Sequence, residues 1–434
     1  MTTLPQTFID QMAEALKEEL PAFLASYDEP YYRGLRINSF KQPLKGLEEW
    51  VKDMEGQIPW EAEGRYLAMA SQAGSHPLHE AGAYYLQEPS AMIPAAVLSP
   101  RPGERVLDLC AAPGGKSTQL AIRLQGKGLL VSNEPVSSRA QVLSRNMERL
   151  GVPNGLVVSA MPAALSQRWP KFFDAVMVDA PCSGEGMFRR HPETRAEWTP
   201  QSPQGCAKRQ QEILWEAAKM VRPGGRLCYA TCTLNQIEND GVVEAFLQAH
   251  PDFEMTPFAL PGLPENNGSL HIYPHRIKGE GHFVALFARK GVEERMEAAS
   301  SGLKRPTAVH QKALKEFHPA LKADGMLGET LFSLPEWPDV TGVKVLRAGV
   351  HLGQLKGKVF VPDHALALAY GQETVFAHLD ADLNQAQTYL RGETFPAAGK
   401  GWQVLCLDGV ALGWIKVSEN TAKNHYPKGL RLHR

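Results

Sequence analysis

No run of about 18 apolar residues occurs anywhere in the 434-residue chain, so no membrane-spanning helix and no membrane partner are expected. No secretory leader is expected either, because Asp10, Glu14, Glu18 and Glu19 place acid where a signal peptide carries base. These absences predict a soluble, cytoplasmic protein. Cysteine is scarce: the six residues include no Cys-x-x-Cys pair, which excludes a disulfide frame and a structural zinc site, and no other metal site is expected. Charge of either sign is not in excess, with 46 Lys plus Arg against 47 Asp plus Glu. That balance excludes an overtly basic nucleic-acid binder by composition, although a total can conceal opposed surfaces. Residues 1–30 alone count −5, so the remaining chain counts +4.

What is present is a globular chain, 43% apolar and 21% charged, long enough for roughly three domains. Phe8, Met12, Ala15, Leu16 and Leu20 recur at helical spacing, predicting an amphipathic opening helix ended by Pro21. A small α/β unit, RRM-like, is expected over residues 1–75. From 76 to 290 the pattern alternates strand, Gly-rich turn and helix. Strands are read at Arg105–Cys110, Leu129–Asn133, Phe173–Val178, Arg226–Thr231 and Phe283–Ala288, with helices at 117–124, 209–221 and 236–250. The Phe173–Val178 run is nearly continuous in apolar residues, as in a parallel strand buried on both faces. The fold class is therefore α/β: a Rossmann-like, doubly wound sheet that binds ligands at the carboxyl ends of its strands. Residues 291–315 read as a linker. Residues 316–434 read as a mixed, barrel-like domain with strands at Val343–Leu346, Lys358–Val361, Val404–Leu407 and Trp414–Val417.

Three strand ends carry candidate chemistry. Cys110-Ala111-Ala112-Pro113-Gly114-Gly115-Lys116-Ser117-Thr118 imitates a phosphate-binding P-loop but has Cys110 where that motif needs its first glycine. An NTPase stays open as a rival reading. The remaining Gly-Gly turn lets a ligand approach the backbone, and Glu134 ends the next strand, where an acid accepts the two hydroxyls of a ribose or merely caps the following turn. Turn and acid together point to a nucleoside cofactor without a phosphate requirement, such as S-adenosylmethionine. Asp179-Ala180-Pro181-Cys182-Ser183-Gly184 and Thr231-Cys232-Thr233 end two further strands. Cys110, Cys206, Cys228 and Cys406 read as packing thiols, whereas Cys182 and Cys232 sit at strand ends beside Pro and Thr. Carbon 5 of a pyrimidine is too weak a nucleophile to take a methyl group from a sulfonium. A thiolate added at carbon 6 converts the ring to an enamine that can, and an acid such as Asp179 stabilises the adduct.

Cys110–Lys116, Asp179–Gly184 and Thr231–Thr233, in that order, resemble the Nop2/Sun family of RNA cytosine-5 methyltransferases. Tyr84–Ser90 and Gly184–Phe188 resemble its bacterial methyltransferase F branch, which acts on small-subunit ribosomal RNA, and Val350–Gly353 with Tyr426–Arg431 resemble that branch's PUA-like RNA-binding module. The resemblance implies S-adenosylmethionine as cofactor, and 16S ribosomal RNA or the small ribosomal subunit as partner of a monomeric enzyme. It implies Cys232 as nucleophile, Cys182 as the thiol that assists product release, Asp179 beside base and methyl group, and Lys116 in support. Cys110, Ala111, Ala112, Pro113, Gly114, Gly115, Lys116, Glu134, Arg139 and Asp179 would surround the cofactor. Many family members carry an acid near the adenine at the end of the third strand, where this chain has Ala160-Met161-Pro162, so the adenine amine would bind backbone groups there.

Two basic clusters are candidates for RNA phosphate contact. Residues 187–210 hold Arg189, Arg190, Arg195, Lys208 and Arg209 for a local +3, and residues 416–434 hold Lys416, Lys423, Lys428, Arg431 and Arg434 for a local +4. His425, Tyr426 and Trp414 are expected to stack bases. A non-catalytic RNA-binding protein on the same fold is a second rival, against which Cys182, Cys232 and Asp179 argue.

Overall fold

The computed structural model describes residues 3–41, 52–292, 295–371 and 376–432. Among these, β1 (Arg33–Ile37), β2 (Met54–Gln57), β3 (Gly64–Leu67) and β4 (Tyr84–Leu86) form an antiparallel sheet in the order β2-β3-β1-β4. The opening helix Gln6–Leu16 stops earlier than its periodicity predicts, at Lys17 with a φ of 50°. Pro21 does not end it. It lies in the first turn of a second helix, Leu20–Ala25, where a residue without an N–H sacrifices no intrahelical bond.

The central sheet contains β5 (Arg105–Asp108), β6 (Leu129–Asn133), β7 (Gly155–Ser159), β8 (Phe173–Asp179), β9 (Val221–Thr231), β10 (Phe253–Met255), β11 (Ser269–Ile272) and β12 (His282–Arg289). Strands β5 to β9 run parallel, while β12 lies antiparallel against β9. β5 is flanked by β6 and β8, so the strand order reverses beside it. Period-two side chains feed two cores. Val176 and Val178 of β8 face Leu214 and Phe246 from the helices Ser202–Met220 and Asp240–Ala249, while Ala175 and Met177 face Leu120 and Leu143 from Gly115–Leu124 and Ser137–Arg149. Burial on both faces explains the continuous apolar run of β8. The helix expected from Arg209 begins at Ser202 with Pro203 in its first turn, and the Pro223-Gly224-Gly225 turn is absorbed into β9, whose register against β8 shifts between Phe173 and Ala175.

After the hairpin β13 (Gly325–Leu327) and β14 (Thr330–Ser333), the chain forms β15 (Lys344–Ala348). The Val343–Leu346 segment was expected within the C-terminal domain, but β15 pairs antiparallel with β7 and completes the edge of the central sheet. Its pairing covers the row of backbone groups that β7 would otherwise expose. β16 (Val350–Lys356) and β17 (Val359–Pro362) join the hairpin in a four-stranded sheet. A last mixed sheet holds β18 (His378–Asp380), β19 (Phe395–Pro396), β20 (Gly401–Leu407), β21 (Val410–Ser418) and β22 (Thr421–Asn424), with β18 parallel to β20. Leu405 and Ile415 of this sheet share a core with Leu35 and Tyr84 of the first one, so the two ends of the chain pack together.

Candidate active site

The parallel topology brings three strand ends to one crevice. Asp179 at the end of β8 is in register with Ala230 of β9, and the Leu109 N–H donates to the Met177 carbonyl at 3.0 Å. Gly114, with a φ of +115°, turns the chain into the helix Gly115–Leu124, a conformation a side chain would strain. The Lys116 ammonium then reaches Asp179 at 2.8 Å. Burial would lower the Lys116 pKa, but the opposing Asp179 carboxylate outweighs it and the lysine is held above its ordinary value. A lysine committed to a carboxylate in this way is not arranged to grip a phosphate.

Beyond the strands, the sulfurs of Cys182 and Cys232 lie 3.2 Å apart. The hydrogen bond to Cys232, and then burial, raise the Cys182 thiol well above the ordinary range. Two buried carboxylates fasten the loops that carry the thiols. Glu185 accepts from the Thr233 hydroxyl at 2.7 Å, from the Leu234 and Asn235 N–H groups at 3.0 Å each, and from the Trp198 indole at 3.2 Å. Glu238 accepts from the Ser183 N–H at 3.0 Å, from its hydroxyl, and from Gln210 at 2.7 Å. The Gly186 N–H also donates to the Cys232 carbonyl at 2.9 Å, and a Cβ on Gly186 would stand 2.6 Å from the Gly281 carbonyl. These ties cross between the loops and hold the two sulfurs in contact.

A cavity of about 200 Å³ lies beside the lysine–aspartate pair, lined by Asp108, Cys110 to Pro113, Gly115, Lys116 and Asp179 and roofed by Tyr85, Gln87 and Glu88. The Ser117 hydroxyl donates to one oxygen of Asp108 at 2.6 Å, while the other oxygen is buried with no hydrogen-bond partner. Burial pushes the Asp108 carboxyl up to about 7 despite the Ser117 bond. A carboxylate oxygen left unmet in a cavity suits a cationic amine. Glu134 is buried at the end of β6. One oxygen accepts the Val136 N–H at 2.9 Å, capping the turn, and the other faces Arg139 at 3.4 Å. Arg139 donates to the Ala112 carbonyl at 3.2 Å, which ties this pair to the back of the turn. Met161 is 66% exposed. Of the expected packing thiols, Cys228 and Cys406 are buried, whereas Cys206 and Cys110 are only half-buried and Cys110 faces the cavity.

Sequence reasoning assigned no role to Glu185, Glu238 or Glu88. Glu88 accepts the Ser90, Ala91 and Glu280 N–H groups at 2.8 to 2.9 Å and so pins the cavity roof to the segment before β12. The Tyr84–Ser90 motif signalled the segment of Glu88 and the Gly184–Phe188 motif that of Glu185, whereas nothing pointed to Glu238. The expected RNA contacts also need correction. Arg189 is buried, its guanidinium on Glu280 at 2.8 Å, and cannot reach a phosphate; Arg190 and Arg195 are half-buried, and Lys208 and Arg209 are exposed. Trp414 and Tyr426 are core residues at 2% and 3% exposure and cannot stack on a base. An accessible aromatic pair on the C-terminal sheet is His425 and Trp402, with ring centroids 4.3 Å apart and the Lys416 ammonium 5.3 Å from the Trp402 centroid. Register sets Trp402, Lys416 and Lys423 abreast on β20, β21 and β22. Arg434 lies outside the described residues. Among those residues no cluster of His, Cys, Asp and Glu could hold a metal, and no helix is long and apolar enough to cross a membrane.

Comparison with known proteins yields matches along most of the chain. Residues 4–89 match the family described as the N-terminal domain of 16S rRNA methyltransferase RsmF, and residues 95–288 match 16S rRNA methyltransferase RsmB/F. Residues 312–370 match the RsmF rRNA methyltransferase first C-terminal domain, and residues 376–432 the methyltransferase RsmF PUA domain. The chain is 31% identical to the ribosomal RNA small subunit methyltransferase F of Klebsiella pneumoniae strain 342, covering 98% of this chain and 96% of the relative. It is 30% identical to that of Erwinia tasmaniensis over the same shares. Among solved structures, a methyltransferase homolog protein from Pyrococcus horikoshii aligns with 27% identity and a TM-score of 0.57, over 66% of this chain and 95% of that one. NSun6 from the same organism, crystallised with SFG, aligns at 21% identity and a TM-score of 0.59 over 67% and 100%, a likeness of fold alone.

Proposed function

The chain belongs to the ribosomal RNA small subunit methyltransferase F family, whose members are S-adenosylmethionine-dependent methyltransferases of 16S ribosomal RNA, and on that premise we propose that it methylates carbon 5 of cytosine through a covalent adduct on Cys232. The observation that carries this reading is the 3.2 Å contact of two thiols beside the Lys116–Asp179 pair. S-adenosylmethionine, when bound, supplies an electrophilic methyl group. Its ammonium suits the unmet oxygen of Asp108, and the cavity beside Lys116 accommodates its methionine end.

The chain's own residues prepare the acceptor. The Cys232 thiolate adds to carbon 6 of the cytosine, and the electron pair of the 5,6 double bond becomes available at carbon 5. As the sulfur adds, ring nitrogen 3 takes up a proton from solvent, and its N–H donates to the Asp179 carboxylate that Lys116 fixes; that proton is returned when the adduct breaks. Once carbon 5 carries the methyl group, its proton is lost to solvent, the double bond re-forms and the sulfur of Cys232 is expelled. Cys182 keeps its proton and donates toward that sulfur, which stabilises the departing thiolate. Because the base must leave its stack to reach the crevice, the site to be modified is an unpaired or easily opened stretch of RNA. Trp402, His425, Lys416 and Lys423 give the C-terminal sheet a face for holding RNA away from the crevice.

Bisulfite sequencing of 16S ribosomal RNA, incubated with the protein and S-adenosylmethionine, tests the position of the methyl group. Protected cytidines that depend on both components are expected. Methyl transfer without bisulfite protection would overturn the carbon 5 assignment.

A further inference from the structure

Arg189 is the hub of three segments. Its guanidinium holds Glu280 through Nε and Nη2 at 2.8 to 3.2 Å, donates to the Ser26 carbonyl at 3.0 Å and to the Gly279 carbonyl at 2.9 Å. It thus locks the loop after Cys182 to the end of the N-terminal helices and to the segment before β12. What each segment presents on the outside follows from that lock. Arg190, next in the chain and half-buried, lies 5.4 Å from the centroid of Tyr31. Tyr32 meets Tyr66 edge-on at 6.2 Å, and the exposed Lys278 stands 5.8 Å from the Tyr66 centroid. Arg190, Tyr31, Tyr32 and Lys278 thus form a set of aromatic and basic groups, a stripe gathered around the Arg189 lock, whose guanidinium carbon lies 5.6 Å from the Tyr32 centroid.

The stripe is tied to the crevice through the chain. Lys278 is three residues from Gly281, hence at most about 11 Å of extended chain from the point where Gly281 abuts Gly186, whose N–H is bonded to the Cys232 carbonyl. Single-stranded RNA is held in this manner, by bases stacked on aromatic rings and phosphates set against Lys and Arg. Asp28 and Glu29 are exposed on the neighbouring turn and keep the local charge near neutral, so stacking would carry more of the affinity than bulk charge. We propose that this stripe binds the unpaired RNA nucleotides that flank the target cytidine. The proposal rests on the RNA methyltransferase reading and adds to it the path of the strand as it leaves the crevice.

The test is fluorescence anisotropy of the full chain with a fluorescein-labelled, ten-nucleotide single-stranded RNA containing one central cytidine. Tyr31→Ala is expected to weaken binding about tenfold. Lys278→Gln is expected to lower the slope of log affinity against log salt by about 0.7, the loss of one phosphate contact to a single strand. Affinity for S-adenosylmethionine should match that of the unsubstituted chain in both variants. Unchanged RNA affinity and salt slope, at an unchanged melting temperature, would overturn the stripe. Lys278 is exposed, so its variant decides the matter even where Tyr31→Ala fails to fold. Transfer of tritiated methyl to RNA by the unsubstituted chain is measured in parallel. Its absence overturns the reading beneath the proposal, whereas transfer with unaltered binding by the variants overturns the stripe alone.

Discussion

The crevice and the C-terminal sheet treat polar groups in opposite ways. Around Cys182 and Cys232, beside the Lys116–Asp179 pair, stand four buried carboxylates: Glu185, Glu238, Glu88 and Asp108 lie out of solvent, and all but Asp108 have every oxygen engaged by neutral donors. On the sheet formed by β18 to β22 the paired Lys416 and Lys423 are basic and exposed, while Trp414 on the same sheet is buried in a core. Fixed carboxylates in a low-dielectric setting hold loops rigidly, which suits a site that must place two sulfurs in contact. Exposed lysines beside one half-exposed indole hold nothing by themselves and gain their partner on binding. The first region specifies geometry and the second supplies adhesion.

Substitutions should separate these roles, the largest effect coming from the crevice. Cys232→Ala is expected to reduce methyl transfer more than about 10³-fold and to leave no covalent protein–RNA band on a denaturing gel. Cys182→Ala should accumulate that band, and the reverse pattern would exchange the roles of the two thiols. Glu185→Ala strands the donors now bonded to it and should destabilise the fold by about 3 kcal/mol in urea unfolding, whereas Lys416→Ala should stay within about 0.5 kcal/mol of the parent chain. Equal effects from the two would dissolve the contrast.

A third separation uses pH. The Asp108 carboxyl titrates near 7 in the folded chain against 3.8 unfolded, so between these values the folded state retains a proton that the unfolded state has lost. Its contribution to stability therefore falls as pH rises from about 4 to about 7 and is level above that. Asp108→Asn should remove this decline, seen as a gain in relative stability over the parent that grows across the window and then stays constant. The smallest effect is expected on the C-terminal face, where Trp402→Ala should weaken single-stranded RNA about fivefold with cofactor affinity unaltered.

Parallel strands made the crevice legible. A continuous apolar run such as Phe173–Val178 reads as an inner strand, and whatever follows inner strands in a doubly wound sheet meets at one edge, so the Gly114-Gly115 turn, Asp179, Cys182 and Cys232 could be brought together from their strand-end positions, although Cys110, taken singly, read as a packing thiol. Carboxylates that stay buried, such as Glu185 and Glu88, look like surface residues until their donors are found in distant segments. The C-terminal sheet concealed its surface for a different reason. One face carries Val404 and Trp414 into a core and, two residues away along each strand, Trp402 to the half-exposed margin of that core and Lys416 into solvent. Alternation tells which residues share a face but not where along the strands that face emerges into solvent. Arg189 hid in the same way, since a buried Arg–Glu pair joining residues 91 apart leaves no local trace.

Strand β15 has a consequence for how the molecule comes into being. The methyltransferase sheet is otherwise complete at Arg289, yet its last member does not appear until Lys344–Ala348, about 55 residues later. On a ribosome adding roughly 5 to 20 residues per second, the edge of β7 waits several seconds for its partner. During that interval the nascent sheet offers an open strand to any neighbouring chain.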